Sequence, residues 1–181
     1  MTKYIALLRG INVGGNNKIS MPILKTVFEE AGFTNVSTYI NSGNIFFNSI
    51  LDEKTTQSLC EQKIANKFGL NISVSIITAS ELSNAIANAP DWWNNSVDSK
   101  HNAIFVISPA TAENICTEVG EVKAEYEKVA YYGKVIFWTA PISTFNKTRW
   151  SKITKHRATY EMITIRNAKT VMKLLELAGG N

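Results

Sequence analysis

The chain has 181 residues, of which 45% are hydrophobic and 19% are charged, and its formal net charge is +4. This composition is typical of a globular protein and excludes a disordered chain, a collagen-like repeat and a coiled-coil rod. A chain of this length buries roughly 70% of its unfolded surface, which suffices for one sizeable core or two small ones without disulfide bonds.

Membrane and export signals are not evident in the sequence. The longest apolar runs, such as residues 5–8 and 135–138, are far shorter than the ~18 residues that span a bilayer, and the N-terminus lacks the pattern of a cleaved signal peptide. We therefore expect a cytoplasmic protein without a membrane partner. Cys60 and Cys116 fall within predicted helices and are expected to be free thiols that pack as small apolar side chains.

Charge is distributed unevenly along the chain. Residues 147–173 contain eight basic residues and one acid, a charge of +7, which leaves −3 on the remainder. Residues 113–127 contain five glutamates and a single lysine. This asymmetry indicates either an anionic partner or pairing between the two segments.

The first part of the chain follows the pattern βαββαβ. A β-type run at residues 3–9 leads through a loop rich in glycine and asparagine to a helix that Ser20 can cap and that ends at Gly32. Apolar residues at spacings of three and four predict the buried face of this helix, namely Ile23, Leu24, Val27, Phe28 and Ala31. The elements that follow are strands at 36–40 and 44–47 around a tight turn, a helix at 52–68 and a strand at 72–77.

The same pattern restarts after a short helix at 80–88 and a linker at 90–99. Trp92 and Trp93 lie in this linker and are expected to pack between the two halves. The second series comprises strands at 103–107, 127–131, 134–138 and 162–165 and helices at 111–122, 143–157 and 168–178.

A repeated βαββαβ unit predicts an α+β fold of two tandem ferredoxin-like units with antiparallel sheets, followed by a C-terminal helix. The expected boundaries are residues 1–79 for the first unit, 80–100 for the short helix and linker, and 101–181 for the second unit with its extra helix. The cores are expected to form mainly from strand residues, including Ile5, Leu7, Ile45, Phe47, Ile104, Val106 and Ile136.

Strand adjacency within the first unit predicts a candidate binding site. Strands one and three of such a sheet are antiparallel neighbours, so the end of strand one meets the hairpin turn and the first helix begins at the same edge. The residues brought together in this way are Arg9, Gly10, Asn12, Asn41, Ser42 and Asn44. An arginine, several amides and a helix N-terminus favour an anionic or phosphate-bearing ligand, although asparagine and glycine also serve purely conformational roles in tight loops.

Known catalytic patterns are absent from the sequence. Gly10 and Gly15 have the spacing of a phosphate-binding P-loop, but Asn16 stands where the lysine is required and Lys18 follows two residues later. There is no dinucleotide-binding glycine pattern, and we expect no cofactor. His101 and His156 have no partners at metal-ligand spacing, so both are expected at the surface and no metal site is predicted.

Three stretches, LLRGINVGGNNKISM, YINSGNIFF and TIRNAKTVMKLLELA, resemble an uncharacterised bacterial family, domain of unknown function 1697. The resemblance extends in order over nearly the whole chain. It implies a bacterial source and a fold compatible with the tandem units, but no function. The matching positions are residues 9–15, residues 41–44, Arg166, Asn167, Thr170 and Lys173.

Several functions therefore remain open. The first is a binding module for a small anionic ligand at the predicted loops, to which Lys18, Arg166 and Asn167 also contribute. The second is an enzyme for a small polar substrate, with Arg9 as an anion clamp and Asn12 or Asn44 as donors, although no base or nucleophile is identifiable. The remaining alternatives are a protein-interaction module and a nucleic-acid platform that uses Phe46, Phe137 and Trp138. The oligomeric state is open.

The basic segment carries one specific local expectation. Asn167 lies between a short strand and the closing helix, where its side chain can cap the helix. Arg166 is then free to be held by a specific acceptor.

Overall fold

The computed structural model describes residues 1–179 and consists of helices packed on two four-stranded antiparallel sheets. The strands are β1 (Thr2–Leu8), β2 (Thr34–Tyr39), β3 (Asn44–Ser49), β4 (Val74–Thr78), β5 (Ser99–Val106), β6 (Lys128–Tyr132), β7 (Val135–Pro141) and β8 (Ile163–Asn167). The α-helices are α1 (Met21–Glu30), α2 (Glu53–Phe68), α3 (Ala79–Ala87), α4 (Ala112–Val119), α5 (Arg157–Glu161) and α6 (Ala168–Ala178). The predicted α+β class, with two antiparallel sheets and a C-terminal helix, is confirmed.

The two sheets have the same strand order. The first is ordered β2-β3-β1-β4 and the second β6-β7-β5-β8, so the first strand of each half lies between its third and fourth strands. A helix also follows the fourth strand of each half directly, because α3 begins after β4 and α6 after β8. The repeat in the structure is therefore longer than the sequence pattern indicates, since it includes α3.

Local capping explains where several helices begin and end. The Asp52 carboxylate accepts the N–H of Thr55 at the start of α2, and Gly69 ends that helix in the left-handed conformation. Asn167 caps α6 by accepting the N–H of Thr170 at 2.8 Å, which confirms the prediction for this residue. Ser20 precedes α1 but makes no side-chain cap bond, so the expected cap is wrong there.

The central strands are buried on both faces. In β1, Tyr4, Ala6 and Leu8 point into a core beneath α1 and α2, whereas Ile5 and Leu7 point to the opposite side. That opposite side joins apolar residues of both sheets with α3 and α6 in one shared core. All seven strand residues predicted to form the cores are buried, namely Ile5, Leu7, Ile45, Phe47, Ile104, Val106 and Ile136.

Trp93 belongs to the core that the two halves share. Its ring lies edge-on to Phe137 with centroids 5.1 Å apart, and its indole N–H donates to the carbonyl oxygen of Asn102 at 2.9 Å. Trp92 packs against the same core while partly buried. The expectation that this tryptophan pair packs between the halves is confirmed.

The aromatic residues considered for nucleic-acid stacking are also buried. Phe46 and Phe137 lie in the shared core, and Trp138 lies in the core on the outer side of the second sheet. None of these rings is available to stack on a base, because packed elements cover both faces of each sheet at these positions.

The segment expected to form one helix at residues 143–157 is interrupted. It forms two 3₁₀ segments, Ile142–Lys147 and Trp150–Lys155, and α5 follows. The buried Glu127 carboxylate accepts the N–H groups of Arg149 and Trp150 at 2.8 and 3.2 Å. Because these N–H groups bond to a distant side chain rather than to the preceding turn, a continuous α-helix does not form.

Three further sequence expectations need correction. Ile23 is largely exposed and does not belong to the buried face of α1, where Met21 takes its place. The strand expected at 103–107 begins earlier, at Ser99, inside the segment expected to be a linker. His101 is consequently an internal residue of a central strand and is buried rather than at the surface.

Hydrogen bonds satisfy both ring nitrogens of His101. Its Nε2–H donates to the carbonyl oxygen of Ser96 at 2.8 Å, while Nδ1 accepts the N–H of Asn94 at 3.0 Å. Thr139, its partner across β5 and β7, places its hydroxyl 2.8 Å from the same Nδ1. His156, by contrast, is exposed as expected.

Lys134, in the β6–β7 turn, links the second half to the first. Its ammonium group pairs with Glu53 of α2 and, at 3.2 Å, with Glu81 of α3. The Glu81 carboxylate also closes a capping box with Thr78. Burial alone would raise the pKa of Glu81, but the hydrogen bonds from Thr78 and the charge of Lys134 lower it below its ordinary value.

Replacement of Glu81 by glutamine is expected to lower the free energy of unfolding at about pH 7 by about 0.5–1 kcal/mol. A carboxylate whose pKa is lower in the folded state stabilises the protein above its unfolded pKa, and this contribution is lost as the pH falls through the folded value. Urea titrations at about pH 7 and at an acidic pH below the folded-state pKa of Glu81 should therefore show the variant and the wild type converging at the acidic pH. Glu29→Gln, at an exposed pair within α1, is the control, and an equal loss at both pH values would contradict the assignment.

No helix within residues 1–179 combines the length and the apolar character needed to cross a membrane.

Candidate functional site

An open cleft of about 450 Å³ lies at the start of α1. The loop between β1 and α1 forms one wall and the β2–β3 turn forms the other. Its lining residues are Asn12, Gly15, Lys18, Ile19, Ser20, Met21, Pro22 and Asn41. The backbone N–H of Leu8 donates to the carbonyl oxygen of Gly43 at 2.8 Å, so the end of β1 meets this turn as the sequence predicts.

The loop from Gly10 to Lys18 is held by its own backbone and amide groups. Gly10, Asn12 and Asn17 all have positive φ, a conformation that glycine and asparagine tolerate better than other residues. The Asn17 amide donates to the carbonyl oxygen of Gly10 at 3.0 Å, and the N–H of Asn12 donates to the carbonyl oxygen of Asn17 at 3.2 Å. These residues therefore determine the shape of the loop.

Asn12 fastens the loop to both of its neighbours. Its amide N–H₂ donates to the carbonyl oxygens of Ile19 and Asn41 at 3.0 and 2.9 Å, and its amide oxygen accepts the N–H of Ile19 at 2.9 Å. These bonds join the loop to Ile19, two residues before α1, and to the β2–β3 turn. Asn12 thus sets the width of the cleft, with both amide donors engaged inside the protein.

Three side chains at the cleft keep their polar groups turned to solvent. Lys18 is exposed and takes part in no ion pair within residues 1–179. Asn41 is exposed, and Ser20 is exposed without capping α1. Pro22 supplies no N–H to the first turn of α1, but no side chain caps this turn, so its other N–H groups contribute partial positive charge to the same cleft.

Arg9 does not point into the cleft. Its Nε donates to the carbonyl oxygen of Tyr160 at 3.0 Å, and its guanidinium carbon lies 4.6 Å from the centroid of the Tyr160 ring. The side chain therefore crosses to the second half of the chain. The hypothesis that Arg9 clamps an anion beside Asn12 is wrong for this geometry, because strand adjacency fixes the backbone position but not the direction of a long side chain.

Arg166 joins the two halves from the other side of the turn. Its guanidinium donates to Asn44 Oδ1 at 2.7 Å, to Thr164 Oγ1 at 2.8 Å and to the carbonyl oxygen of Leu8 at 2.9 Å. The carbonyl oxygen of Ser42 accepts a further bond at 2.9 Å. The prediction that specific acceptors hold Arg166 is confirmed, and these acceptors are neutral groups of the protein. Burial lowers the pKa of Arg166 to about 10, so the group stays charged at neutral pH.

Asn44 completes this network and holds the turn. It is fully buried, and its amide donates to the carbonyl oxygen of Tyr39 at 3.0 Å and to the Ser42 hydroxyl at 3.1 Å. The intervening Ile40 has a φ of 50°, which is unfavourable for a β-branched residue. Asn44 and Arg166 together therefore stabilise a strained turn that places Asn41 at the cleft.

The sequence matches the family described as "Protein of unknown function (DUF1697)" over residues 1–137. The chain belongs to this family. Its structure is similar to that titled "The structure of conserved bacterial protein SP0830 from Streptococcus pneumoniae", with a TM-score of 0.86 and 32% sequence identity over 98% of each chain. No curated protein matches the sequence.

The DUF1697 match contains the whole cleft but ends before Arg166, which holds the cleft's turn from the second half. Asn167, next to Arg166, borders a separate polar pocket of about 340 Å³ together with Lys100, His101 and Lys169. Sequence reasoning placed Asn167 with the loops of the first half. In the structure Asn167 is instead the last residue of β8, and its side chain caps α6 on the second half of the chain.

Metal-binding residues are not clustered in the described part of the chain. No group of three or more histidine, cysteine, aspartate or glutamate side chains within residues 1–179 could hold a metal ion. Cys60 is buried in α2 and Cys116 is half-buried in α4, and both are free thiols. Burial raises the pKa of both, that of Cys116 to about 11, so neither is an activated nucleophile.

Proposed function

We propose that this DUF1697 protein is a binding module for a small anionic ligand, phosphate- or carboxylate-bearing, in the cleft at the start of α1. The observation that carries the proposal is the convergence of Lys18, Asn41 and the uncapped first turn of α1 on one open cleft. A lysine ammonium, an amide and backbone N–H groups are all donors that suit phosphate or carboxylate oxygens.

The size and support of the cleft favour a small ligand. A volume of about 450 Å³ lies within the usual range for small-molecule sites. Asn12 holds its two walls at a constant separation, and Arg166 and Asn44 hold the turn that carries Asn41. Binding therefore requires little ordering of the protein, which favours affinity.

The proposal divides the predicted site residues by role. Lys18 and Asn41 contact the ligand, while Asn12 and Gly10 shape the loop. Ser42, Asn44 and Arg166 support the turn from within the protein, and Arg9 and Asn167 lie outside the proposed contacts.

Binding is favoured over catalysis at this cleft by the chemistry of its lining. None of the lining residues is an acid, a histidine, a cysteine or a tyrosine, and the proposal assigns Lys18, the one titratable side chain among them, to the ligand, so no carboxylate or imidazole base is at hand for a substrate. An enzyme that acts on a small polar substrate would need such a group from the ligand or from a partner.

We also propose that each half is a ferredoxin-like unit, as its strand order supports. The proposed units are residues 1–79 and residues 101–181, joined by residues 80–100, and the proposed location is the cytoplasm. Similarity to a bacterial protein supports a bacterial source.

Substitution of Lys18 by methionine is expected to weaken anion binding about threefold to tenfold, because an exposed cation contributes a modest share of the affinity for a charged ligand. The measurement is an NMR titration with inorganic phosphate and with ribose 5-phosphate, which follows the backbone amides of Gly15, Lys18 and Asn41. Lys25→Met is the matched control, because Lys25 lies on α1 but does not line the cleft. Equal affinities of the two variants, or no shifts at these amides in the wild type, would contradict the proposal.

The nucleic-acid alternative is distinguished by a filter-binding titration with single- and double-stranded oligonucleotides at two salt concentrations. Contacts to several phosphates would give tight binding at low salt that weakens steeply as salt rises. We expect no such binding, because the basic segment is partly paired internally through Arg157–Glu161 and Lys173–Glu176 and Arg166 is buried. Native mass spectrometry of the purified protein would show whether a small ligand is retained.

A further inference from the structure

The outer edge of β6 is an unpaired strand edge. β6 is the end strand of the second sheet, and within residues 1–179 it makes no main-chain hydrogen bond beyond its ladder with β7. The strand is exposed or half-buried along its whole length. The peptide groups on its outer side are therefore open to a partner.

The peptide groups of β7 alternate between its two neighbours, and this alternation shows which groups of β6 face outwards. The carbonyl oxygen of Lys134 faces β5, where it accepts a backbone N–H at 3.0 Å, so the peptide groups of Phe137, three residues later, face β6. Ala130 lies opposite Phe137 and is its hydrogen-bonded partner. Val129 and Tyr131 therefore present their N–H and carbonyl groups to the outer side.

The other three strand edges of the described chain are protected. In β2, which holds the corresponding position in the first half, the register shifts between Thr34 and Ser37 and Asn35 has a φ of 53°, so a bulge disrupts that edge. β4 and β8 lie where the halves meet, and each donates a side-chain hydroxyl to the opposite half. β6 instead keeps a continuous register with β7. Its edge is the one suited to pairing.

A pocket of about 660 Å³ opens beside this edge, between β6 and α4. The residues that line it are Cys116, Thr117, Gly120, Glu121, Val122, Val129, Ala130, Tyr131 and Trp150. Most of this lining is apolar or aromatic. α4 and Val129 belong to the same core on the outer face of the second sheet, and every second side chain of a strand added beside β6 would lie over that face.

The charged groups at this pocket are acidic. Glu121 is the only charged residue of the lining, and the charged residues of α4 are Glu113 and Glu118, both of which are exposed. α4 also ends at the pocket with Gly120, so the carbonyl groups of its last turn add partial negative charge. A partner with lysine or arginine complements this surface.

We propose that β6 and this pocket bind an extended peptide segment of a partner protein, which adds a fifth strand to the second sheet. An aromatic or large aliphatic side chain of the segment packs against Val129, Tyr131 and Trp150, and a neighbouring lysine or arginine lies near Glu121. In this mode of recognition main-chain hydrogen bonds supply affinity and the side-chain pocket supplies specificity.

A second copy of this chain is a less suitable occupant. Two-fold pairing of β6 with itself would place α4 and its copy on the same face of one continuous sheet, where the acidic residues of both would repel each other. The pocket shares no lining residue with the cleft at α1, so this inference does not depend on the function proposed for that cleft.

Hydrogen exchange of the intact protein tests the pairing. Random heptapeptides displayed on phage are selected on the protein, and the most enriched sequence, expected to join a large apolar residue to lysine or arginine, is synthesised as the probe. Without the probe, the amides of Val129 and Tyr131 should exchange rapidly and that of Ala130 slowly. At about 90% occupancy the probe should slow exchange at Val129 and Tyr131 about tenfold and leave Ala130 unchanged.

Two N-methylated versions of the probe separate strand pairing from simple occupation of the pocket. Each carries methyl groups on alternate amides, and the two sets are complementary, so only one set faces β6. Methylation of that set should weaken binding about tenfold or more, and methylation of the other set should change the affinity less than about twofold.

Glu121→Gln tests the charge of the partner. The affinity for the probe is expected to fall about threefold, because an exposed charge contributes modestly. Glu125→Gln is the matched control, because Glu125 is exposed in the same acidic segment but does not line the pocket, and it should leave the affinity unchanged. Equal affinities of these two variants would contradict a basic partner.

Three results would overturn the proposal. The first is a selected probe that does not slow exchange at Val129 and Tyr131, and the second is equal binding by the two N-methylated versions. The third is protection of these amides without any probe that rises with protein concentration and accompanies a dimer in analytical ultracentrifugation, which would assign the edge to a second copy.

Discussion

Replacement of Arg166 by methionine is expected to lower the free energy of unfolding by about 3–5 kcal/mol. Methionine retains most of the apolar stem but removes every donor from a network that is buried between the two halves. Asn44 Oδ1 and the carbonyl oxygens of Leu8 and Ser42 would then lose the bonds that Arg166 donates to them. The measurement is equilibrium unfolding in urea, with Arg157→Met as the control at an exposed ion pair.

Arg166→Lys should recover only part of this loss, because one ammonium group cannot reproduce a planar fork that reaches acceptors on both halves. The Arg157→Met control is expected to stay within about 0.5 kcal/mol of the wild type. A loss below about 1 kcal/mol in Arg166→Met would show that the apolar core, rather than this network, joins the halves. If the network has the proposed supporting role, the amide signals of Asn41 and Ser42 will also shift in Arg166→Lys.

Substitution of Gly43 by alanine is expected to destabilise the protein by about 3 kcal/mol or more. A Cβ at this position would lie 2.7 Å from Cβ of Leu8 and 2.8 Å from Cδ1 of Ile11, both of which are fully buried. The backbone φ of 81° adds conformational strain for any residue with a side chain. The turn cannot move outwards easily, because Leu8 and Arg166 both donate to the carbonyl oxygen of Gly43.

Gly133→Ala is the matched control for Gly43→Ala. Gly133 occupies the corresponding hairpin of the second half, with φ 55°, but a Cβ there would meet no atom within 4 Å. Gly133→Ala should therefore lower the free energy of unfolding only through conformational strain, by about 1 kcal/mol. The free energies of unfolding of the two variants, measured in urea, separate the effect of backbone strain from that of close packing. Equal losses of stability in both variants would show that close packing at Gly43 contributes nothing.

The elements and their ends were largely predictable from local sequence. Apolar periodicity indicates α1 and the central strands, and caps such as Asp52 and Asn167 act on N–H groups three residues away. Both hairpin turns contain a glycine with positive φ, which a short sequence pattern can signal. The repetition of these local signals also suffices to predict two antiparallel sheets.

The candidate site was predictable only in part. Strand adjacency correctly brings the end of β1 to the β2–β3 turn, because main-chain pairing fixes those positions. The same reasoning could not direct Arg9, whose partner is Tyr160 in the other half, nor show that Ser20 leaves α1 uncapped. The pocket between α4 and β6 gave no signal in the sequence, since α4, β6 and Trp150 meet only through packing.

The sequence by itself determined most of the strands, the caps of α2 and α6 and the hairpin turns, since each depends on groups a few residues apart along the chain. Only the tertiary structure decided which polar side chains face solvent. Glu127 interrupts the helix expected near Arg149 from 22 residues away, and Arg166 reaches Asn44 across 122 residues. The physical reason is that a buried donor or acceptor must find a partner wherever packing supplies one, so its partner is determined by the whole fold and not by its neighbours in sequence.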